Sequence, residues 1–242
     1  LTPDSLFTLP DCWHHALDML IWNLYRLIIA QVRKGVKQMK ILFLGDSITD
    51  SNRNFTSDNL GEGYVRILAD RFPNHQFINR GHDGFTTQHV LRTLAEDCLC
   101  RSFDLITLLV GINDISVQLY ADSHRIPEEF ALYYETIVEK IRQTSKAPII
   151  LAEPFVFDRP AALQNWRPFL REESQIIQKL SVSYNCCFLP LQSVLDDACL
   201  RWDSNSLTSD GIHLTPLGSG LIADAWENLV PSLIFSAALF GA

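Results

Sequence analysis

The chain has 242 residues, 47% of them hydrophobic and 20% charged, with a formal net charge of -8. That is globular composition at the size of one ordinary to large domain, and it excludes a disordered chain. The acidic balance argues against a nucleic-acid partner, because phosphate binding runs on Lys and Arg, and it favours a neutral or small substrate.

Residues 1–38 read differently from the rest. The stretch 16–32 is strongly apolar but carries Asp18, Asn23 and Arg26, whereas a membrane span needs about 20 apolar residues with few charges. Arg33, Lys34 and Lys37 follow the apolar stretch, while a secretory signal places its positive residues before it. The expectation is an amphipathic helical extension outside the core and dispensable for chemistry, with a membrane-surface helix as the sharper alternative. Met39 then opens Met39-Lys40-Ile41-Leu42-Phe43-Leu44, which reads like the start of an independent cytoplasmic protein. Residues 39–242 are taken as the main domain.

From there strand and helix patterns alternate. Residues 41–44 form a short apolar run ending in Gly45, a buried-strand signal. Residues 63–72 have helical spacing and are closed by Pro73. A second strand at 76–79 leads into a glycine-bearing turn, and 88–98 reads as a helix. Residues 105–110 are a third, nearly all-apolar strand ending at Gly111. A long helix is expected over 127–144, with Pro127 suited to its first turn. A strand at 149–152, a helix at 168–184, a strand at 186–189 and a helix at 215–229 complete the series. Strands apolar on both faces belong to parallel sheets, and their alternation with helices predicts βαβ units. The fold class is therefore α/β, a three-layer α/β/α sandwich around a parallel sheet of about five strands.

Six cysteines are present, none at zinc-finger spacing. Cys186 and Cys187 sit together in an apolar run and are expected to be buried free thiols, not parts of a disulfide framework. The histidines are scattered, with His14-His15 in the extension, and neither a metal nor a cofactor is expected.

In open parallel sheets, ligands bind beyond the carboxyl ends of the strands. After the first strand comes Gly45-Asp46-Ser47-Ile48-Thr49-Asp50, and after the second Asn79-Arg80-Gly81-His82-Asp83-Gly84. After the third comes Gly111-Ile112-Asn113-Asp114, and just before the last helix Asp210-Gly211-Ile212-His213. Alone, each reads as a helix cap or a turn. A carboxylate three residues from an imidazole can also reach it within one turn and fix its tautomer, as a Ser-His-Asp triad requires.

Taken in order, these four segments resemble blocks I, II, III and V of the SGNH (GDSL-type) hydrolase family, over roughly residues 39–231. The resemblance implies a flavodoxin-like sheet and a serine esterase. Ser47 would be the nucleophile, His213 its general base and Asp210 the group that orients the imidazole. The oxyanion hole would comprise the Ser47 N–H, the Gly84 N–H and the Asn113 side-chain amide. Gly84 is preferred to Gly81 because the family places that glycine five residues after the block's asparagine. No G-x-S-x-G elbow is present. Leu214 stands where the family commonly has proline, which implies a slightly shifted loop.

With Gly61-Glu62-Gly63-Tyr64-Val65 and Glu153-Pro154-Phe155, the pattern is most similar to acetylxylan-esterase-like bacterial members. That implies short-chain, above all acetyl, esters on carbohydrates. A lysophospholipase or thioesterase is the alternative, and a noncatalytic carbohydrate- or lipid-binding relative is a third reading. Trp166 and Trp202 could stack on sugar rings, although packing is the better expectation for both. The expected partner is a small-molecule ester, with no nucleic acid and no stable membrane insertion, and the sequence leaves a homo-oligomer open.

Overall fold

The structure, a computed structural model, describes residues 38–120 and 127–240. The expected N-terminal extension, with Cys12, His14 and His15, lies outside the described residues.

Five strands form one sheet: β1 (Lys40–Gly45), β2 (Gln76–Gly81), β3 (Leu105–Leu109), β4 (Ile149–Ala152) and β5 (Cys187–Leu189). All pairings are parallel, in the order β2-β1-β3-β4-β5. The α-helices between and after them are α1 (Ser47–Asp50), α2 (Tyr64–Arg71), α3 (Thr87–Leu94), α4 (Ile112–Tyr120), α5 (Pro127–Thr144), α6 (Arg167–Ser183), α7 (Leu191–Cys199), α8 (Ser204–Leu207) and α9 (Pro216–Phe240).

The period of two along each strand divides the core into two layers. Ile41, Phe43, Leu105, Leu109, Ile150 and Ala152 face one layer, where they meet Tyr64 and Leu68 of α2, Leu195 of α7 and Trp226 of α9. Leu42, Leu44, Ile106, Leu108, Ile149 and Leu151 face the other, against Val90 of α3, Tyr134 and Ile137 of α5 and Ile177 of α6. Thr107 breaks the apolar run of β3 without cost, because its hydroxyl accepts the buried Trp226 indole N–H at 2.9 Å.

Several details depart from the sequence expectation. The helix expected over 88–98 ends as α3 at Leu94 and continues as a π-turn over Ala95–Leu99. The extra residue turns Asp97 toward Arg80 and His82, a displacement that π-bulges produce. Helix α4 starts inside a segment that reads as a turn, and the short helices α7 and α8 carry too few turns to show a period. Helix α9 runs past the expected end at 229 and through Pro231, because Leu and Ala in the following stretch sustain helix. Cys186 and Cys187 are free but only half-buried. Among the described residues no helix is long and apolar enough to cross a membrane.

The sheet order places the functional loops. The chain leaves β1 for β2 on one side and returns to β3 on the other, so the switch point lies at the carboxyl end of β1. Gly45 stands in register with Gly81 and Leu109, so the loops carrying Ser47, Gly84 and Asn113 depart from one row. Helix α1 folds back over that row. A Cβ on Gly81 would come within 2.2 Å of the Asp50 nitrogen, and one on Gly45 within 2.3 Å of the Leu109 carbonyl.

Buried Asn79 fastens the arrangement. Its amide donates to the carbonyls of Thr49 at 2.6 Å and Leu60 at 2.9 Å, and its oxygen accepts the Gly81 N–H at 2.9 Å. Replacing Asn79 by Ala strands these buried groups and should destabilise the protein by about 3 kcal/mol, read from the urea unfolding midpoint at unchanged slope.

Candidate active site

Ser47 follows β1 by two residues and begins the single turn α1. Asp46 caps that turn, its carboxylate accepting the Ile48 N–H at 3.0 Å. One turn is too short for an appreciable macrodipole, so N–H groups here act as individual donors. The Ser47 N–H donates to no partner among the described residues, and neither does the Gly84 N–H.

The Ser47 hydroxyl lies 3.0 Å from Nε2 of His213, and Nδ1 of His213 lies 2.6 Å from Oδ2 of Asp210. The other carboxylate oxygen of Asp210 accepts the backbone N–H groups of Ile212 at 2.9 Å and His213 at 2.7 Å. Burial works to raise the Asp210 carboxyl, but these bonds, the His213 side chain's first, outweigh it and hold the group below the usual carboxylate range.

The turn itself is fixed from several sides. Thr208 donates its hydroxyl to the His213 carbonyl at 2.7 Å and accepts the Gly211 N–H at 2.9 Å. Thr208 and Leu214 form an isolated antiparallel bridge, so Leu214, in the place of the expected proline, ends the loop in regular pairing. Gly211 has φ +94°, and a Cβ there would lie 2.3 Å from the Arg159 carbonyl. No residue with a side chain fits between Asp210 and Ile212.

Asn113, in the first turn of α4, donates its amide to the Phe85 carbonyl at 3.0 Å. An amide carries two hydrogens, so one remains for a ligand. Its neighbour Asp114 is buried and accepts both the Thr87 N–H at 2.9 Å and the Thr87 hydroxyl at 2.6 Å. Together Asn113 and Asp114 hold the start of α4 to the loop that carries Gly84, which takes φ +71° with open space where a Cβ would stand.

A cleft of about 440 Å³ opens beside Ser47 and His213. Asp50, Ser51, Asn54 and Asp83 give it a polar wall, and Ile48, Phe55 and Leu214 supply apolar surface. Trp166 is buried against Ile112, Ile115 and Leu170 and so packs the core beneath α4, as expected, whereas Trp202, for which packing was also expected, is exposed and outside the cleft lining. Among the described residues no cluster of His, Cys, Asp and Glu could hold a metal ion.

Two sets of residues escape sequence reasoning. One is the chain Asp50–Arg53–His82–Asp97. Arg53 pairs with Asp50 at 3.0 Å and donates to Nδ1 of His82 at 3.1 Å, and Nε2 of His82 meets Asp97 at 3.0 Å. Arginine has no acceptor, so Nδ1 of His82 must accept and Nε2 carries the hydrogen. The His82 ring stacks on Phe85 at 4.3 Å, beneath the carbonyl that holds Asn113. Nothing in the spacing marks these residues as partners, although a histidine beside two glycines was a visible signal.

The other is Asp46. Burial pushes its carboxyl from 3.8 up to about 7, against the Ile48 N–H that lowers it and with the Asp114 charge that raises it further. The sequence showed it only as a cap.

A hydrogen-bonded serine, imidazole and carboxylate at the switch point of a parallel α/β sheet is the arrangement that serine hydrolases use. Residues 43–221 match the model of the GDSL-like lipase/acylhydrolase family, and the chain belongs to that family and is a carboxylic ester hydrolase. It is 23% identical over 202 residues to an acetylxylan esterase from Geobacillus stearothermophilus, covering 77% of this chain and 91% of that protein. Among solved structures it is similar to LAE5, an alpha/beta hydrolase enzyme from the metagenome of Lake Arreo, Spain, at 25% identity and a TM-score of 0.70, over 78% of this chain and 93% of the other. It also shares its fold with a catalytic mutant of Axe2, the Geobacillus stearothermophilus acetylxylan esterase, at 21% identity and a TM-score of 0.71, over 79% and 94% of the two chains.

The Asp46 environment predicts a pH dependence of stability. An acid whose pKa is raised on folding binds more protons folded than unfolded between the two values. Its stabilising contribution is therefore present at low pH and lost as pH climbs from 3.8 through about 7. Asn at position 46 keeps the acceptor for Ile48 but does not titrate. Asp46→Asn should flatten the decline of Tm across that window and raise Tm at pH 8. An unchanged Tm-against-pH curve would remove the raised value.

Proposed function

We propose that this chain hydrolyses short-chain, above all acetyl, esters of carbohydrates through an acyl-enzyme on Ser47. The observation that carries this reading is the continuous Ser47–His213–Asp210 hydrogen-bond series facing a polar cleft. In Axe2 the catalytic mutants replace a serine, an aspartate and a histidine, the latter two three positions apart, which is the spacing of Asp210 and His213.

The Ser47 oxygen attacks the ester carbonyl as Nε2 of His213 takes its proton. Asp210 keeps the other ring hydrogen on Nδ1 and supports the imidazolium that forms. Negative charge gathers on the carbonyl oxygen, where the N–H groups of Ser47 and Gly84 and the second hydrogen of the Asn113 amide are available to bind it. Collapse breaks the bond to the alcohol, which leaves with the proton from His213. Water then attacks the acyl-serine, giving its proton to His213, and the acid departs as that proton returns to Ser47.

The cleft supports a short acyl group on a neutral alcohol. A lipid groove gains about 0.8 kcal/mol for each buried methylene, but only along apolar walls, and here Asp50 and Asp83 stand in the lining. The same carboxylates disfavour phosphate-bearing leaving groups, since Arg53, the nearby cation, is buried against Asp50. A cytoplasmic setting is supported by the five described cysteines, all of them free.

Ser47→Ala should leave Tm unchanged and lower ester hydrolysis by orders of magnitude. Full activity in that variant would end the reading. Asn113→Ala should lower kcat by about 10²–10³-fold, the usual effect of losing one oxyanion donor, with KM affected far less. An effect confined to KM would make Asn113 a substrate-binding group instead. For one leaving group, kcat/KM should fall from acetyl through butyryl and octanoyl to palmitoyl. A rising series would favour a lysophospholipase or thioesterase.

A further inference from the structure

The segment that leaves α1 is bent in an unusual way. Ser51 and Asn52 are consecutive residues with side chains, yet both take left-handed backbone conformations, φ 39° and 63°. Such strain persists only where the surroundings impose it. Here they do so from both ends. The Ser51 N–H bonds the Ser47 carbonyl at 2.9 Å, and the Ser51 carbonyl accepts the Glu62 N–H at 2.8 Å. The Asn52 side chain donates to Glu62 at 3.0 Å. Gly63 lies so close that a Cβ there would meet the Ser51 side chain at 2.8 Å.

The bend has one evident effect, on the turn Arg53–Phe55 that follows. Arg53 points inward, 7% exposed, held by Asp50 and His82. Phe55 points outward and is 89% exposed, more than any other large hydrophobic residue described. It is no loose side chain on a loose loop, since the Phe55 N–H bonds the Asn52 carbonyl at 2.9 Å and the turn is closed by Thr56 onto the Arg53 carbonyl. An aromatic ring is thus presented to solvent on a rigid mount, in the wall of the cleft that holds Ser47 and His213.

We infer that Phe55 is the platform on which the sugar ring of the substrate stacks, with the Asn54 amide and the Asp83 carboxylate taking its hydroxyl groups. This deepens, and rests on, the carbohydrate-ester reading of the site. A pyranose is apolar on its C–H faces and polar around its rim. It therefore needs one aromatic face flanked by groups that both donate and accept. Asn54 and Asp83 are exposed in the same cleft, and neither side chain makes a hydrogen bond among the described residues. An acyl chain would need a continuous apolar wall, and beside Ile48 and Leu214 the same lining carries Asp50, Asn54 and Asp83. The platform is thus Phe55, in place of either tryptophan that the sequence offered.

The test compares a monoacetylated methyl xyloside with ethyl acetate, which has no sugar. Phe55→Ala is safe for folding because the ring is exposed. It should lower the ratio of kcat/KM for the xyloside over that for ethyl acetate by about tenfold, mainly through KM, and Phe55→Trp should restore it. Asn54→Ala should lower the same ratio. An unchanged ratio in Phe55→Ala, or equal losses on both esters, overturns the platform. A variant effect that follows acyl length instead of sugar content assigns Phe55 to the acyl side and also overturns it. Failure of the underlying reading shows separately, in the wild-type protein, as no preference for the xyloside over ethyl acetate.

Discussion

Helix α1 can begin within two residues of β1 only because the backbone rows beneath it are bare. Gly45 and Gly81 stand in register, and a side chain on either would collide with main-chain atoms less than 2.5 Å away. This close approach sets the height of Ser47 above the sheet, and the distance at which the loops after β2 and β3 can reach it. Asn79 then converts contact into attachment by bonding both partners. The turn at Ser51 and Asn52, and with it the wall of the cleft, is a continuation of the same constraint.

The polar groups beneath the site have a shared logic. Each loop is held by a side chain that spends its hydrogen bonds on backbone: Asp46 on Ile48, Asn79 on Thr49 and Gly81, Asp114 on Thr87, Asp210 on Ile212 and His213. Preorganised groups of this kind do not have to reorient as charge develops. The cost falls on Asp46, which is crowded by burial and by Asp114. Trp166 contributes by packing under α4, the helix that carries Asn113.

Much of this was legible in the sequence, for identifiable reasons. The apolar runs of β1 and β3, each followed by glycine, and the alternation of short strands with helices made the sheet readable, and all five strands lie within two residues of their expected limits. The side chains of Ser47, His213 and Asp210 lie in one hydrogen-bonded series, and Asn113 bonds the Phe85 carbonyl in the loop that follows Gly84. What could not be read were contacts between segments far apart in the chain and without a period. Arg53 and His82 are 29 residues apart, and no local pattern joins them. The helix α4 was hidden because Gly111-Ile112-Asn113-Asp114 carries turn-forming residues that serve here as a helix start. The π-turn at 95–99 was hidden because one inserted residue leaves the apolar spacing of the helix nearly intact.

The two partners of Ser47 come from one short turn, three residues apart, whereas Ser47 itself is 166 residues away along the chain. The imidazole–carboxylate pair is thus a local chelate that needs no sheet to assemble. Only one joint in the series is long-range, and the Phe157 N–H bonded to the Gly211 carbonyl at 2.9 Å secures it from behind. Closing so long a loop is the entropically demanding step. During refolding the recovery of turnover should therefore time the docking of the C-terminal segment onto a sheet already formed, making the enzyme's own activity a clock for its last tertiary event.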